Sequence, residues 1–221
     1  MGQTIPLGQP PKQISAYLAQ PEGTPKGGVV VIQEIFGVNA HIRDVVDRFA
    51  AAGYTAIAPA LFDHAEPGVE LDYTAEGIKQ GQEYVGKVGF DLPIEDVRLA
   101  AEAIAPAGKI GTVGYCWGGT IAYLAAIRLG LPSVSYYGGR NTQFVDQQAK
   151  APLMFHYGAR DQHISAEDRA KVQAANPDAP VYVYDADHGF NCDRRDSYDE
   201  ASAKLAMERT LAFFDKYLAG A

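Results

Sequence analysis

Apolar residues in this chain fall into two repeats that alternate along its length: short runs of consecutive apolar side chains, and longer stretches where they recur every three to four positions. Val29-Val30-Val31-Ile32 is β-branched throughout, which predicts a strand covered on both faces in a parallel sheet. Tyr54 to Ala58 is a second buried strand, stopped by Pro59. Between them, Ile42, Val45, Val46 and Phe49 recur at helical spacing from His41 to Ala52, and Gly53 closes the helix. Upstream, Ile14 to Leu18 alternates apolar and polar residues as an edge strand would. Asp63 to Asp72 lacks either repeat and reads as a surface excursion, followed by helices over Thr74 to Lys87 and Pro93 to Ala105. The second half repeats the scheme. Strands are expected at Lys109 to Val113, Pro132 to Tyr136, Pro152 to His156 and Val181 to Tyr184. Helices are expected at Thr120 to Leu129, at Ser165 to Ala175 with Ser165 as N-cap and Asp168 at the third helical position, and at Asp196 to Ala219; Gln143 to Gln148 is a short connecting piece. Strand–helix alternation of this kind predicts an α/β fold with a mostly parallel central sheet and helices on both faces.

Composition narrows the class. A chain of 221 residues with 47% apolar and 21% charged side chains fits one large α/β domain, 1–221, with an ample core. The net charge of −8, without a basic cluster, argues against nucleic acid as a partner. Two cysteines, Cys116 and Cys192, are too few for a disulfide framework. No apolar run approaches the roughly 20 residues that span a bilayer, and Met1 to Pro6 lacks a signal-peptide pattern. A cytoplasmic protein in a reducing compartment is therefore expected, without a membrane partner; monomer and homodimer are not distinguished.

The candidate chemistry starts at Gly111-Thr-Val-Gly-Tyr-Cys-Trp-Gly-Gly119. Gly114-x-Cys116-x-Gly118 has the spacing of a nucleophile elbow, with cysteine where serine is more usual. A strand that reverses into a helix within a few residues crowds the backbone, and glycines beside the nucleophile remove the Cβ clashes. Amides at the start of the next helix would favour a thiolate and later an oxyanion. The alternative is a glycine-rich turn around a structural cysteine. Partners decide between them. Asp161 follows the strand ending at His156, and His188 follows the strand ending at Tyr184, so Cys116, Asp161 and His188 have the chain order nucleophile, acid, histidine, each just past a strand. His188 would manage the thiol proton, and Asp161 would fix the imidazole tautomer. Asp185 and Asp187 remain alternative orienting acids. His41, His64, His156 and His163 are left as surface, loop or core residues. The histidines and carboxylates show no metal-ligand spacing, and neither metal nor cofactor is expected.

Gln33-Glu34-Ile35-Phe36-Gly37-Val38-Asn39, Gly114-Tyr115-Cys116-Trp117-Gly118-Gly119, Gly158-x-x-Asp161 and His188-Gly189-Phe190 together resemble the dienelactone hydrolase family over nearly the whole chain. The resemblance implies an α/β-hydrolase fold, a Cys116-Asp161-His188 triad and a hydrolase of small esters or lactones working through an acyl-thioester. It implies that Glu34 contacts the resting thiol and takes its proton when substrate binds. Backbone N–H groups of Ile35 and Trp117 would form the oxyanion hole, and the side chains of Phe36 and Trp117 would line the pocket.

Two family arginines that hold a substrate carboxylate are missing from their positions, which read Gly77 and Cys192 here. Lys79, Arg194 and Arg195 are the nearby cations, and a bidentate carboxylate grip does not pass freely from Arg to Lys or between positions. Tyr84, Tyr136 and Tyr137 are candidate pocket hydroxyls or packing residues. The competing readings are a thioesterase or general carboxylesterase for neutral acyl groups, and a redox-sensing or binding protein that uses Cys116.

Overall fold

The computed structural model describes residues 2–220; Met1 and Ala221, the ends of the expected 1–221 domain, lie outside the described residues. The chain divides into two compact units, one running to residue 111 and taking in the residues from 218 onward, the other covering 112–217.

In the first unit, β1 (Gln3–Leu7), β2 (Ile14–Ala19), β4 (Thr55–Pro59) and β3 (Gly28–Ile32) lie side by side in that order. β3 and β4 are parallel, β2 pairs antiparallel with both β1 and β4, and all residues of β3 and β4 are buried, as their uniform apolar runs predict. β2 is not the edge. Its alternation reflects one covered face and one half-covered face, whereas pairing is decided by β1, whose Gln3 and Thr4 are exposed and whose Pro6 has no N–H to give a further neighbour.

α1 (Ala40–Ala51) buries the expected stripe of Ile42, Val45, Val46 and Phe49, and the Asn39 side chain accepts from the Ile42 N–H at its start. α2 (Ala75–Val88), capped by Thr74, and α3 (Asp91–Ala103) follow the irregular segment. That segment is fastened at its start. Asp63 accepts from the Ser15 N–H and hydroxyl at 2.7 and 2.6 Å, and His64 Nε2 meets both oxygens of buried Asp96 at 2.9 Å. Burial raises the Asp96 carboxyl to about 6, with His64 pulling the other way.

In the second unit, β5 (Ile110–Tyr115), β6 (Ser133–Tyr136), β7 (Leu153–Gly158) and β8 (Val181–Tyr184) are parallel neighbours in sequence order. Its helices are α4 (Trp117–Arg128), α5 (Ala166–Ala175) and α6 (Glu200–Tyr217). α4 is buried around its whole circumference up to Ile127, consistent with a helix that is apolar on every side. α5 carries the capping box of Ser165 and Asp168 read from the sequence. α6 starts later than expected. Asp199, not Asp196, supplies the cap by accepting from the Ser202 N–H at 2.8 Å. It is tied to the strands by a buried polar chain: Thr210 Oγ1 meets the Tyr136 hydroxyl at 2.7 Å and His156 Nε2 at 3.1 Å, and His156 Nδ1 meets the Tyr184 hydroxyl at 2.8 Å. Complete burial, with Arg209 adding to it, drives the His156 pKa down to about 3, so the ring is a neutral hydrogen-bonding joint.

Among the described residues, no helix is long and apolar enough to cross a membrane.

Candidate active site

The strand-to-helix reversal at the end of β5 is confined to one residue. Cys116 has φ 56° and ψ −119°, and Trp117 is already the first residue of α4. The sequence suggests a looser turn reaching Thr120, because glycines are poor helix formers. Here they serve close approach. A Cβ on Gly114 would stand 1.8 Å from the Gly118 carbonyl oxygen, and one on Gly119 would stand 2.4 Å from the Tyr136 carbonyl oxygen. Holding a non-glycine residue at positive φ costs about 1–3 kcal/mol, and the Cys116 N–H helps by donating to the Tyr136 carbonyl at 3.0 Å. The thiol is half-buried at the N-terminus of α4, where first-turn amides lack intrahelical partners.

The loops after β7 and β8 are bonded to each other, which brings acid and histidine together. The Ala159 N–H donates to the Tyr184 carbonyl at 2.7 Å and the Arg160 N–H to the Ala186 carbonyl at 3.0 Å. Gly158 permits this approach, since its Cβ would lie 2.4 Å from the Ala186 oxygen. His188 Nδ1 then meets Asp161 Oδ2 at 2.7 Å, with the Asp161 side chain fully buried and that of His188 12% exposed. Asp161 Oδ1 accepts the His163 N–H at 2.8 Å, so both carboxylate oxygens are held. Asp185 and Asp187 are largely exposed and pair with Arg160, leaving Asp161 as the histidine's partner.

The Cys116 side chain lies near enough to His188 to act on its titration. Burial alone would lower the imidazole pKa; the Cys116 sulfur and the hydrogen bond to Asp161 outweigh it and push the value up to about 10.

Two more rings contact His188. Tyr137, itself at φ 37°, lies with its ring centroid 5.0 Å from that of His188, and His163 stands edge-to-face at 4.9 Å with an interplanar angle of 78°. From the sequence Tyr137 is a candidate pocket hydroxyl or packing residue and His163 a surface, loop or core residue; nothing in the hydrophobic pattern marks a ring-on-ring contact. Arg195 is close as well. A Cβ on Gly189 would be 2.6 Å from Arg195 Nη1, so the guanidinium lies over the turn that follows His188, while Arg194 is exposed. Cys192 is fully buried.

The remaining candidates belong to the first unit. Glu34 is completely buried past the end of β3, not a solvated strand-end carboxylate; its Oε2 accepts from the Tyr73 hydroxyl at 3.2 Å, and that hydroxyl accepts from Asn39 Nδ2 at 3.1 Å. Phe36 packs edge-on against Tyr73 with centroids 4.5 Å apart. No hydrophobic repeat marks Tyr73, which lies between the irregular stretch ending at Asp72 and the helix expected from Thr74. The Ile35 carbonyl blocks any side chain at Gly81, where a Cβ would come within 2.1 Å. At Gly77 a Cβ would be 2.0 Å from the Asp72 oxygen, so no arginine fits there. Lys79 is exposed, and the Tyr84 hydroxyl is committed to Glu66 at 2.5 Å with its ring stacked on Phe62.

The dienelactone hydrolase family model matches residues 14–218. A carboxymethylenebutenolidase of Pseudomonas putida is 35% identical over 211 residues, covering 90% of this chain and 89% of that protein. A crystal structure from Klebsiella pneumoniae that carries the dienelactone hydrolase name superposes with a TM-score of 0.84 at 34% identity, over 98% of this chain and 99% of the other. A dienelactone hydrolase-like promiscuous phosphotriesterase from metagenomic libraries, 18% identical with a TM-score of 0.79 over 100% of this chain and 99% of its own, shares the fold. With the elbow, the strand order and these likenesses together, the chain is a hydrolase of α/β-hydrolase fold and belongs to the dienelactone hydrolase family.

Proposed function

We propose that the protein hydrolyses small esters or lactones by a Cys116-His188-Asp161 triad. The observation that carries this reading is the placement of His188, with the Asp161 carboxylate 2.7 Å from Nδ1 and the Cys116 sulfur near enough to be the foremost influence raising its pKa. The thiolate attacks the ester carbonyl carbon; the C–S bond forms while the carbonyl π pair moves onto oxygen. The α4 N-terminus, with the Trp117 N–H first, stabilises that oxyanion. When the tetrahedral adduct collapses, the C–O bond to the alcohol breaks and the departing oxygen takes the His188 proton, leaving an acyl-thioester and a neutral imidazole. Water, deprotonated by His188, then attacks the thioester and releases the acid, restoring thiolate and imidazolium. On the family resemblance, Glu34 is assigned the proton of the resting thiol, Ile35 the second oxyanion-hole amide, and Phe36 and Trp117 the pocket lining.

A second reading is favoured by a specific feature. Position 192 is a buried cysteine and position 77 has no room for a side chain, so the two-arginine carboxylate grip cannot be built at those places. That supports neutral acyl groups, as in a thioesterase or general carboxylesterase.

The test is turnover of p-nitrophenyl acetate by Cys116→Ala, with its circular dichroism compared to the parent's. Loss of turnover in a folded protein is expected, and near-normal activity would end the triad reading. Paired esters with and without a carboxylate decide between the substrate classes.

A further inference from the structure

His163 contributes two separate contacts to the His188–Asp161 pair. Its backbone N–H donates to Asp161 Oδ1 at 2.8 Å, opposite the oxygen that holds His188 Nδ1. Its side chain, two bonds further out, turns back to stand edge-to-face on the His188 ring, with centroids 4.9 Å apart at 78°. Tyr137 lies against the same imidazole at 5.0 Å. His163 is exposed while His188 is nearly covered, so the His163 ring stands on the solvent side of the imidazole.

We propose that His163 is a positioning residue: its ring shields the His188 imidazole from water and restricts its rotation, so that the ring stays engaged with Asp161 and beside the Cys116 sulfur. The inference rests on the triad reading above and adds a residue that the motifs did not include. Its physical basis is ring packing on the imidazole. An edge-to-face pair resists rotation about χ2, which is otherwise soft. Excluding water from one side of the imidazole strengthens its electrostatic contacts with Asp161 and Cys116, because the local dielectric falls. The groups facing His188 are Cys116, Asp161, Tyr137 and His163, and of these His163 alone is exposed.

The ring, and not its basicity, carries the role, which separates this proposal from a proton relay. In His163→Ala, the pH at which Cys116 becomes half-alkylatable by iodoacetamide rises, and kcat/KM for p-nitrophenyl acetate falls roughly two- to tenfold, the range expected for one edge-to-face contact. His163→Phe restores the alkylation profile and most of kcat/KM; His163→Gln, which keeps hydrogen-bonding capacity without a ring, does not. All three variants keep the backbone amide on Asp161, and thermal melts check that each is folded. An alkylation profile and kcat/KM in His163→Ala equal to the parent's would overturn the proposal, as would rescue by Gln in place of Phe. A failed triad is recognised separately, since Cys116→Ala would then remain active whatever happens at position 163.

Discussion

Replacing Cys116 with alanine tests the electrostatics of the site without touching its histidine. In the intact protein the His188 imidazole is burdened by burial, which favours its neutral form, yet is held protonated by the Cys116 sulfur and the Asp161 carboxylate, with a pKa near 10 against an ordinary 6.5. That gap is worth on the order of 5 kcal/mol at 1.36 kcal/mol per pH unit. The sulfur is the foremost favourable contributor. Without it, the burial that remains is opposed only by Asp161, so His188 is expected to titrate at least about two units lower in Cys116→Ala. The assay is the pH dependence of the His188 Cε1–H proton resonance, assigned by comparison with His188→Gln. The sign for stability follows. Because the folded pKa is raised, the stabilisation is fully present below about 6.5 and is lost as pH rises through about 10. The parent should therefore lose melting temperature relative to His188→Gln across that window. An unchanged His188 titration in Cys116→Ala, or a parent His188 that titrates near 6.5, would refute the thiolate–imidazolium pair.

Asp161→Asn should keep the fold but lower kcat by about 10²–10⁴-fold, as expected when the imidazole loses the anion that fixes its tautomer; steady-state kinetics with a melting curve check it, and a loss below fivefold would contradict the assignment. Thr210→Val removes the group that joins the Tyr136 hydroxyl to His156 and should destabilise the protein by about 1–3 kcal/mol in urea titration, the cost of stranding buried polar atoms, while kcat/KM stays within a fewfold. Gly114→Ala drives a Cβ to 1.8 Å from the Gly118 oxygen and should abolish activity together with a large fall in melting temperature; a folded, active variant would mean that the elbow is looser than described. If Arg195, lying over the turn after His188, selects anionic esters in place of the missing arginines, Arg195→Ala should remove any preference for carboxylate-bearing substrates; the absence of that preference in the parent would favour the neutral-acyl reading.

The elements most legible in the sequence were those set by uniform burial. Val29 to Ile32 and Tyr54 to Ala58 had to be covered strands because their side chains offer no polar face, and α4 had to be enveloped because it is apolar on every side. β1 escaped notice because an exposed edge strand needs no hydrophobic repeat, and its pairing made β2 an interior strand despite its alternation. The start of α6 moved to Glu200 because Asp199, one of several aspartates in that stretch, provides the cap. Cys116, Asp161 and His188 were legible as candidates because each follows a strand within a local motif. Tyr73 and His163 were not, since their contacts depend on where loops fold back, and that information is distributed over the segments they pack on.

The central claim is that Cys116 carries the acyl group between the two halves of the reaction. Rapid acid quenching after mixing the protein with a p-nitrophenyl ester of a bulky acid, followed by intact-mass and peptide mass measurement, tests it directly. The account predicts one acyl mass increment on the peptide containing Cys116, formed in step with a burst of p-nitrophenol and absent in Cys116→Ala. Steady turnover with no adduct on Cys116, and with the alanine variant equally active, would contradict it.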